Sequence, residues 1–257
     1  MSTVKGRRRV AVVTGAGQGI GGGIAVALAA AGYVVIATDV DEAAVTKTAE
    51  RLQTAGGRNW EAQPQGRRLD VREKLDFARV FEEAAADHGG VDVLVNNAAL
   101  TRSGVYTEIT SEEWGEVIAV NLRGVLFGCQ VAGPHMSERG FGRILNLTSI
   151  AGLRGGPAVQ GIHYIASKAG IVGITRYLAY ELGPSGVTVN AIAPGPTLTP
   201  QTAAAPPEKL EAVRAQVPAR RLGTVEEVAA VAVFLASDAA GFVNGAVIDV
   251  NGGLLMR

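Results

Sequence analysis

The sequence predicts an α/β fold: one doubly wound parallel β-sheet with helices on both faces. Three observations predict it. Short β-branched runs alternate from end to end with longer stretches rich in Ala, Leu and Glu, the pattern of repeated strand–helix–strand units. Several strand candidates are almost wholly apolar, such as Val10-Ala11-Val12-Val13, which suits strands covered on both faces. Glycine is abundant, at 34 of 257 residues, as many tight strand-to-helix turns require.

Taken in order, the strands are expected at 9–14, 34–39, 67–70, 91–96, 143–147, 187–192 and 246–250. Helices fill the gaps, and two begin with clear signals. Thr110-Ser111-Glu112-Glu113 and Thr224-Val225-Glu226-Glu227 both read as capping boxes, in which a hydroxyl and a carboxylate satisfy free amides. The least regular stretch is 194–217, rich in Pro and Ala, with weak helix signals after Pro207. Inside a compact domain such a segment reads as a functional loop, so a substrate lid is expected around 196–217. No linker divides the chain, and 1–257 is expected to form one domain. A chain this long should bury roughly three-quarters of its unfolded surface without a staple.

Composition narrows the function classes. Lys and Arg number 24, matching 24 Asp and Glu, so no net field attracts nucleic acid. Arg7, Arg8 and Arg9 are expected to be a solvated tail running into the first strand. The single cysteine, Cys129, cannot form an internal disulfide and fits a reduced, cytoplasmic setting. The basic start lacks the apolar run of a signal peptide, and no apolar segment is expected to reach the ~20 residues that cross a bilayer. His88, His135 and His163 are scattered without ligand spacing, so no metal is expected.

The first strand ends in Thr14-Gly15-Ala16-Gly17-Gln18-Gly19-Ile20-Gly21, followed by a helix-like run to Ala31. Glycines let the backbone turn sharply and admit a diphosphate, and the helix N-terminus offers free amides and a positive dipole end. A glycine turn alone is weak evidence; its place between strand and helix points to a Rossmann-type dinucleotide site. The next strand ends at Asp39, eighteen residues after Gly21 (39 minus 21). An acid there can accept from both hydroxyls of the adenine-side ribose and would repel a 2′-phosphate. Neither Gln18 nor Val40 supplies a cation, so NAD is expected over NADP. The competing reading makes Asp39 an N-cap for the helix starting near Asp41.

Tyr164 and Lys168 stand four apart, which on a helix puts both on one face. A phenol has a pKa of about 10, and a nearby ammonium is expected to lower it by about 1–3 units, enough for a proton shuttle. Ser149 lies fifteen residues upstream (164 minus 149), directly after a strand, at the carboxyl end of the sheet where such folds place ligands. Asn121 lies in an apolar helix-like stretch, unfavourable unless its amide is used. Its bland reading is a satisfied buried amide.

With these residues in view, the chain resembles the short-chain dehydrogenase/reductase family over nearly everything from Arg9 to Gly253. The resemblance rests on Thr14-Gly15-x-x-x-Gly19-x-Gly21, Asp70-Val71, Asn96-Asn97-Ala98-Ala99, Asn121, Ser149, Tyr164-x-x-x-Lys168, Pro194-Gly195 and Asp249-Val250-Asn251-Gly252-Gly253. It implies that Tyr164 is the general acid/base, and that Lys168 holds the nicotinamide ribose and tunes Tyr164. Ser149 would orient the substrate oxygen and Asn121 would anchor a relay water. Asp70 and Val71 would contact adenine, Asn97 and Ala98 would support the cofactor, and Pro194, Gly195, Thr197 and Thr199 would contact its nicotinamide end. The activity implied is NAD-dependent interconversion of a secondary alcohol and a ketone, on a 3-oxoacyl thioester, a sugar or polyol, or a small hydroxy acid. A non-catalytic NAD-binding scaffold or redox sensor is the alternative, set against retention of all four catalytic positions. A homotetramer is also implied, with helices near 111–137 and 162–182 packed on their copies and Ala166, Gly170 and Gly173 permitting close approach.

Three departures stand out. Ala99 replaces the usual Gly, Gly22 and Gly23 extend the glycine run into the first helix at a cost in helix stability, and the Ser149–Tyr164 interval is long. Arg102 and Arg154 are expected near the pocket mouth, and His163 either touches substrate or is structural.

Overall fold

The computed structural model describes residues 3–4, 7–55, 65–154 and 160–257. Seven strands form its central sheet: β1 (Val10–Thr14), β2 (Val34–Asp39), β3 (Gln65–Arg68), β4 (Val93–Asn96), β5 (Gly142–Leu147), β6 (Val187–Pro194) and β7 (Val247–Val250). All pairings are parallel, in the order β7-β6-β5-β4-β1-β2-β3. β1 lies between β2 and β4, with Val10 opposite Val34 and Ala11 opposite Val93. The order reverses direction at β1 and β4, and their carboxyl ends therefore open onto a crevice.

The helices are α1 (Gly19–Ala30), α2 (Glu42–Ala55), α3 (Lys74–His88), α4 (Ser111–Ile118), α5 (Gly124–Arg139), α6 (Ala151–Arg154), α7 (Ile162–Leu182), α8 (Pro200–Ala203), α9 (Pro207–Gln216) and α10 (Val225–Ala236). Period-two alternation along β1 splits the core in two. Ala11 and Val13 face Ile24 and Leu28 of α1, Val45 of α2 and Val228 of α10. Val10 and Val12 face Phe77 of α3, Val125 of α5 and Ile171 of α7. Both faces are dry, as a parallel sheet requires. Both predicted capping boxes form, at Thr110 with Glu113 and at Thr224 with Glu227.

Several expectations are corrected. The third strand lies at Gln65–Arg68 instead of 67–70: its ladder ends where the Leu69 amide donates to Asp39 O at 2.9 Å, leaving Asp70 beyond the strand. The arginines before β1 are not a solvated tail. Arg7 holds the fully buried Asp92 bidentately at 2.8 Å, while Arg9, 4% exposed, lies over Phe141 and pairs with Asp238. A carboxylate buried at the foot of β4 demands cations, and Arg139 supplies a second at 2.9 Å. Gly23 also has a packing role that the sequence does not show: a Cβ on it would fall 2.0 Å from Val225 Cγ1, so its absence lets α10 pack closely. The stretch after Pro194 is more regular than expected. Thr197–Leu198 pairs in parallel with Gly223–Thr224, and α8 and α9 follow, although none of α9's residues is buried.

One continuous helical run, Ser111–Arg139, is long and apolar enough to meet the length and composition of a membrane span, contrary to expectation. Its apolar side is occupied by the sheet: Val125, Cys129, Ala132 and Met136 belong to the core. At Ala119–Arg123, between α4 and α5, this run widens into a π-helical turn.

Candidate active site

The glycine loop after β1 is shaped for close approach. Gly15 and Gly19 have φ of +62° and +56°, which disfavour any side chain, and a Cβ on Gly21 would lie 2.3 Å from Gly15 O. The Gln18 side chain does not cap α1, and no acid stands in its first turn, so the helix end presents amides to an anion. Asn97 locks the loop from β4, its Nδ2 donating to Thr14 O and Gly15 O at 3.0 Å. The Thr14 hydroxyl accepts from the Asn97 and Ala98 amides at 3.0 and 3.2 Å. This cradle fits the diphosphate of a dinucleotide.

Asp39 ends β2 beside the loop. Its Oδ2 accepts from the Gly17 amide at 2.9 Å and its Oδ1 from the Asp41 amide at 3.1 Å. The cap of α2 falls to Asp41, whose Oδ1 accepts from the Ala44 amide at 3.0 Å. Each Asp39 oxygen thus keeps a lone pair for a ribose hydroxyl.

A cavity of about 560 Å³ opens along the carboxyl edge of the sheet. Its wall brings together Gly15, Gln18, Gly19, Ile20, Gly21, Asp39, Asp70, Val71, Asn97, Ala98, Tyr164, Lys168, Pro194 and Thr199. Gly195 and Thr197 lie outside the wall. A Cβ on Gly195 would sit 2.8 Å from the Asn251 Cα, and the Thr197 hydroxyl donates back to Gly195 O at 3.0 Å, so both serve the turn. Ser149 and Asn121 are not in the wall either, though each directly follows a residue that is, Thr148 and Val120.

Tyr164 and Lys168 share one face of α7, with the Lys168 Nζ 5.7 Å from the centre of the phenol ring. Lys168 is 3% exposed, donates to Leu147 O at 2.7 Å, and its pKa falls to about 8 because burial penalises its charge. The Thr148 hydroxyl donates to Lys168 O at 2.6 Å, tying α7 to the end of β5. The phenol departs from expectation: burial pushes the Tyr164 pKa up, and the opposing influence is a hydrogen bond with Ser149. The lowering expected from the lysine is absent, and these two influences set the direction.

Asn121 sits in the π turn, fully buried. Its Oδ1 accepts from the Leu100 amide at 2.7 Å, and its Nδ2 donates to Leu100 O at 3.0 Å and Ser167 Oγ at 3.2 Å. His163 is also fully buried; its Nδ1 accepts from the Tyr164 amide at 3.0 Å and it does not reach the cavity.

Arg102 is in the cavity wall, paired with Glu116 at 2.9 Å, whereas Arg154 is not. The loop expected to shape the pocket between Ser149 and Tyr164 lies partly in 155–159, outside the described residues. Sequence reasoning missed Leu69, Arg72 and Glu116, all in the wall. Arg72 follows Asp70-Val71 directly, yet nothing in the spacing signals that it turns back onto Asp70.

Comparison with known proteins agrees with this geometry. A family model described as enoyl-(acyl carrier protein) reductase matches residues 15–255. An acetoacetyl-CoA reductase from Rhizobium meliloti is 44% identical over 246 residues, covering 95% of this chain and 98% of its own. A 3-oxoacyl-[acyl-carrier-protein] reductase from Escherichia coli is 37% identical over 248 residues, covering 96% and 98%. A protein from Agrobacterium tumefaciens, assigned as a 2-deoxy-D-gluconate 3-dehydrogenase and solved with bound NADP, superposes with a TM-score of 0.85 at 35% identity, covering 97% of each chain. The chain therefore belongs to the short-chain dehydrogenase/reductase family of nicotinamide-dinucleotide oxidoreductases and is similar to its 3-oxoacyl-carrier-protein reductases.

Proposed function

We propose that the protein is an NAD(H)-dependent oxidoreductase that interconverts a secondary alcohol and a ketone, with Tyr164 as general acid/base. The observation that carries this reading is the meeting of Tyr164 and Lys168 with the glycine cradle and Asp39 in the wall of one cavity. The nicotinamide, when bound, supplies or accepts the hydride. In the reducing direction the Tyr164 hydroxyl gives its proton to the substrate oxygen, and in oxidation its phenolate takes the carbinol proton. Ser149, hydrogen-bonded to that hydroxyl, orients the same substrate oxygen. Lys168 has donors beyond the one given to Leu147 O, and these would hold the ribose and, once an anion is near, favour its charged form. Both Asn121 amide hydrogens are used within the chain, so the relay water would be held by a backbone carbonyl freed in the π turn.

Relatives named for acetoacetyl-CoA and 3-oxoacyl carrier substrates support a 3-oxoacyl thioester ahead of a sugar, polyol or hydroxy acid. Asp39 supports NAD: its carboxylate would repel a 2′-phosphate. NADP is the second reading, favoured by the NADP bound to the Agrobacterium protein. Measuring reduction of 3-oxoacyl thioesters with NADH and with NADPH separates the two. Faster turnover per molar NADPH would overturn the NAD assignment.

Tyr164→Phe should lower turnover by about 10²–10⁴-fold while NADH still binds. Retained turnover in that variant would remove the phenol from the mechanism. The segment 196–217 would act as a lid, since α9 lies on the surface with no residue buried. A homotetramer is proposed in the cytoplasm, with Ile162, Tyr177 and Tyr180 of α7 exposed for a copy to cover. Gly173 has open space above it, but Gly170 does not serve that contact, because it receives Leu122 of its own chain. Light scattering reporting a monomer would refute the tetramer.

A further inference from the structure

At the amino end of the sheet, away from the cavity, two buried side chains carry polar atoms that the fold leaves unanswered. Arg143 is the second residue of β5 and Thr188 the second of β6, and the two are direct neighbours across that pair. Both point to the α1 and α10 side, where Leu145, Leu147 and Ile192 pack at even spacing from them. Arg143 is 5% exposed and Thr188 7%. The Arg143 Nη1 donates to Gly142 O at 2.8 Å, and the guanidinium lies 4.3 Å from the centre of the Phe141 ring. Among the described residues its Nε is buried without a hydrogen-bond partner, its Nη2 makes no hydrogen bond, and the Thr188 hydroxyl is buried without a partner too. Such orphans need an explanation. Arg9 lies against the same ring at 4.2 Å and pairs with Asp238, whose carboxylate is largely exposed. Burial and the Arg9 cation push the Arg143 pKa down, against the weaker pull of Asp238. A buried cation in this position lacks a counter-charge of its own.

We infer that Arg143 and Thr188 form an oxyanion site that takes a phosphate group: Nε and Nη2 grip two of its oxygens, and the Thr188 hydroxyl donates to a third. The Nε–Nη2 edge is the side of the guanidinium fork that receives two oxygens in parallel, and the Nη1 bond to Gly142 O fixes which way that edge faces. Gly241 stands near Nη2 with no side chain to cover it; a Cβ there would lie 3.9 Å away. Arg9 adds positive charge across the Phe141 ring. A carboxylate would satisfy the fork but leave the Thr188 hydroxyl orphaned, whereas a tetrahedral anion answers all three donors. The site is independent of the glycine cradle and of the dinucleotide reading.

The test is thermal unfolding in inorganic phosphate, acetate and chloride at equal ionic strength, read by circular dichroism. With a dissociation constant of about 1 mM, about 20 mM phosphate should raise the wild-type Tm by about 4–7 °C over chloride. Acetate should give less than half of that rise. Thr188→Val should cut the phosphate shift to about a third, since losing a bond to a charged group weakens binding about tenfold. Arg143→Gln should abolish the shift, and Thr188→Val, which keeps both arginines, decides the matter if that variant does not fold. Phenyl phosphate separates the sources: a shift equal to that of inorganic phosphate identifies a phosphate group on a larger molecule, and no shift identifies the free ion. A wild-type phosphate shift no larger than that in acetate, or a shift undiminished in Thr188→Val, overturns the inference.

Discussion

Asn121 is a poor residue for the helix that carries it, and the helix yields instead of the side chain. An amide in an apolar helix either bonds its own backbone or finds partners elsewhere. Here it spans to Leu100 and Ser167, and the turn around it opens to the i→i+5 pattern. Sequence flagged the residue because its chemistry clashed with its neighbours; the π turn itself left no mark in the pattern. Asp39 was legible for a similar reason, as an acid closing an apolar strand. Asp39→Ala should raise the NAD Michaelis constant by roughly tenfold, as lost bonds to a charged group predict, while NADP binding improves. Unchanged constants for both cofactors would return Asp39 to a loop-shaping role. The Tyr164 proton was the least legible quantity. Spacing placed Lys168 on the correct face, yet burial, which spacing does not encode, sets the direction of both pKa shifts.

At the scale of elements, the inner strands β1, β2, β4 and β6 were readable because both faces are covered, so each appears as a nearly unbroken apolar run, whereas the edge strand β3, Gln65-Gly66-Arg67-Arg68, carries no such run. Ends were less readable. Leu69 and Asp70 look like the tail of β3, but the ladder stops before them and releases them into the cavity wall. The glycines of α1 show how composition misleads when a neighbour is unknown. Judged alone, Gly22 and Gly23 weaken a helix; judged against α10, Gly23 is a contact surface. Gly23→Ala gains roughly 1 kcal/mol in helix propensity. It also drives a methyl to within 2.0 Å of the Val225 side chain, an overpacking worth about 1–3 kcal/mol. A net loss of up to about 2 kcal/mol is expected, lowering Tm by up to about 8 °C. Gly22→Ala should be milder, because its Cβ would meet Ala16 O at 3.2 Å. Calorimetric scans of both variants check the ranking, and a Gly23→Ala protein as stable as wild type would contradict it.

Across the whole molecule, burying Lys168 has a pH signature. Its folded pKa, about 8, is depressed below the ordinary lysine value of 10.5. Below pH 8 both folded and unfolded chains hold the proton, and the cost of burying the charge is fully present. Between the two values the unfolded chain binds more protons, so stability from this group rises with pH. The gain should reach about 2–3 kcal/mol by pH 10. Urea unfolding at pH 7 and pH 10 should show this rise in wild type and its absence in Lys168→Met. A parallel response in both proteins would show that the lysine is not the source. The doubly wound architecture was legible from alternation, but the strand order and the contacts that close the molecule at the amino-terminal end of the sheet were not. Arg7, Arg9 and Arg139 reach partners from 47 to 229 residues away.

The position of β1 also governs how the protein is made. Of the seven strands of the sheet β1 is synthesised first, yet it lies in the interior of the finished sheet, fifth in the order, and the partners on its two sides begin at Val34 and Val93. For the time it takes to translate that interval, an apolar ribbon has at least one bare edge and no hairpin to shield it. Every later strand is likewise added through a crossover and not by zipping to the one before. Yield in a heterologous host should therefore respond to synthesis rate and to holdase chaperones more than to changes on the finished surface.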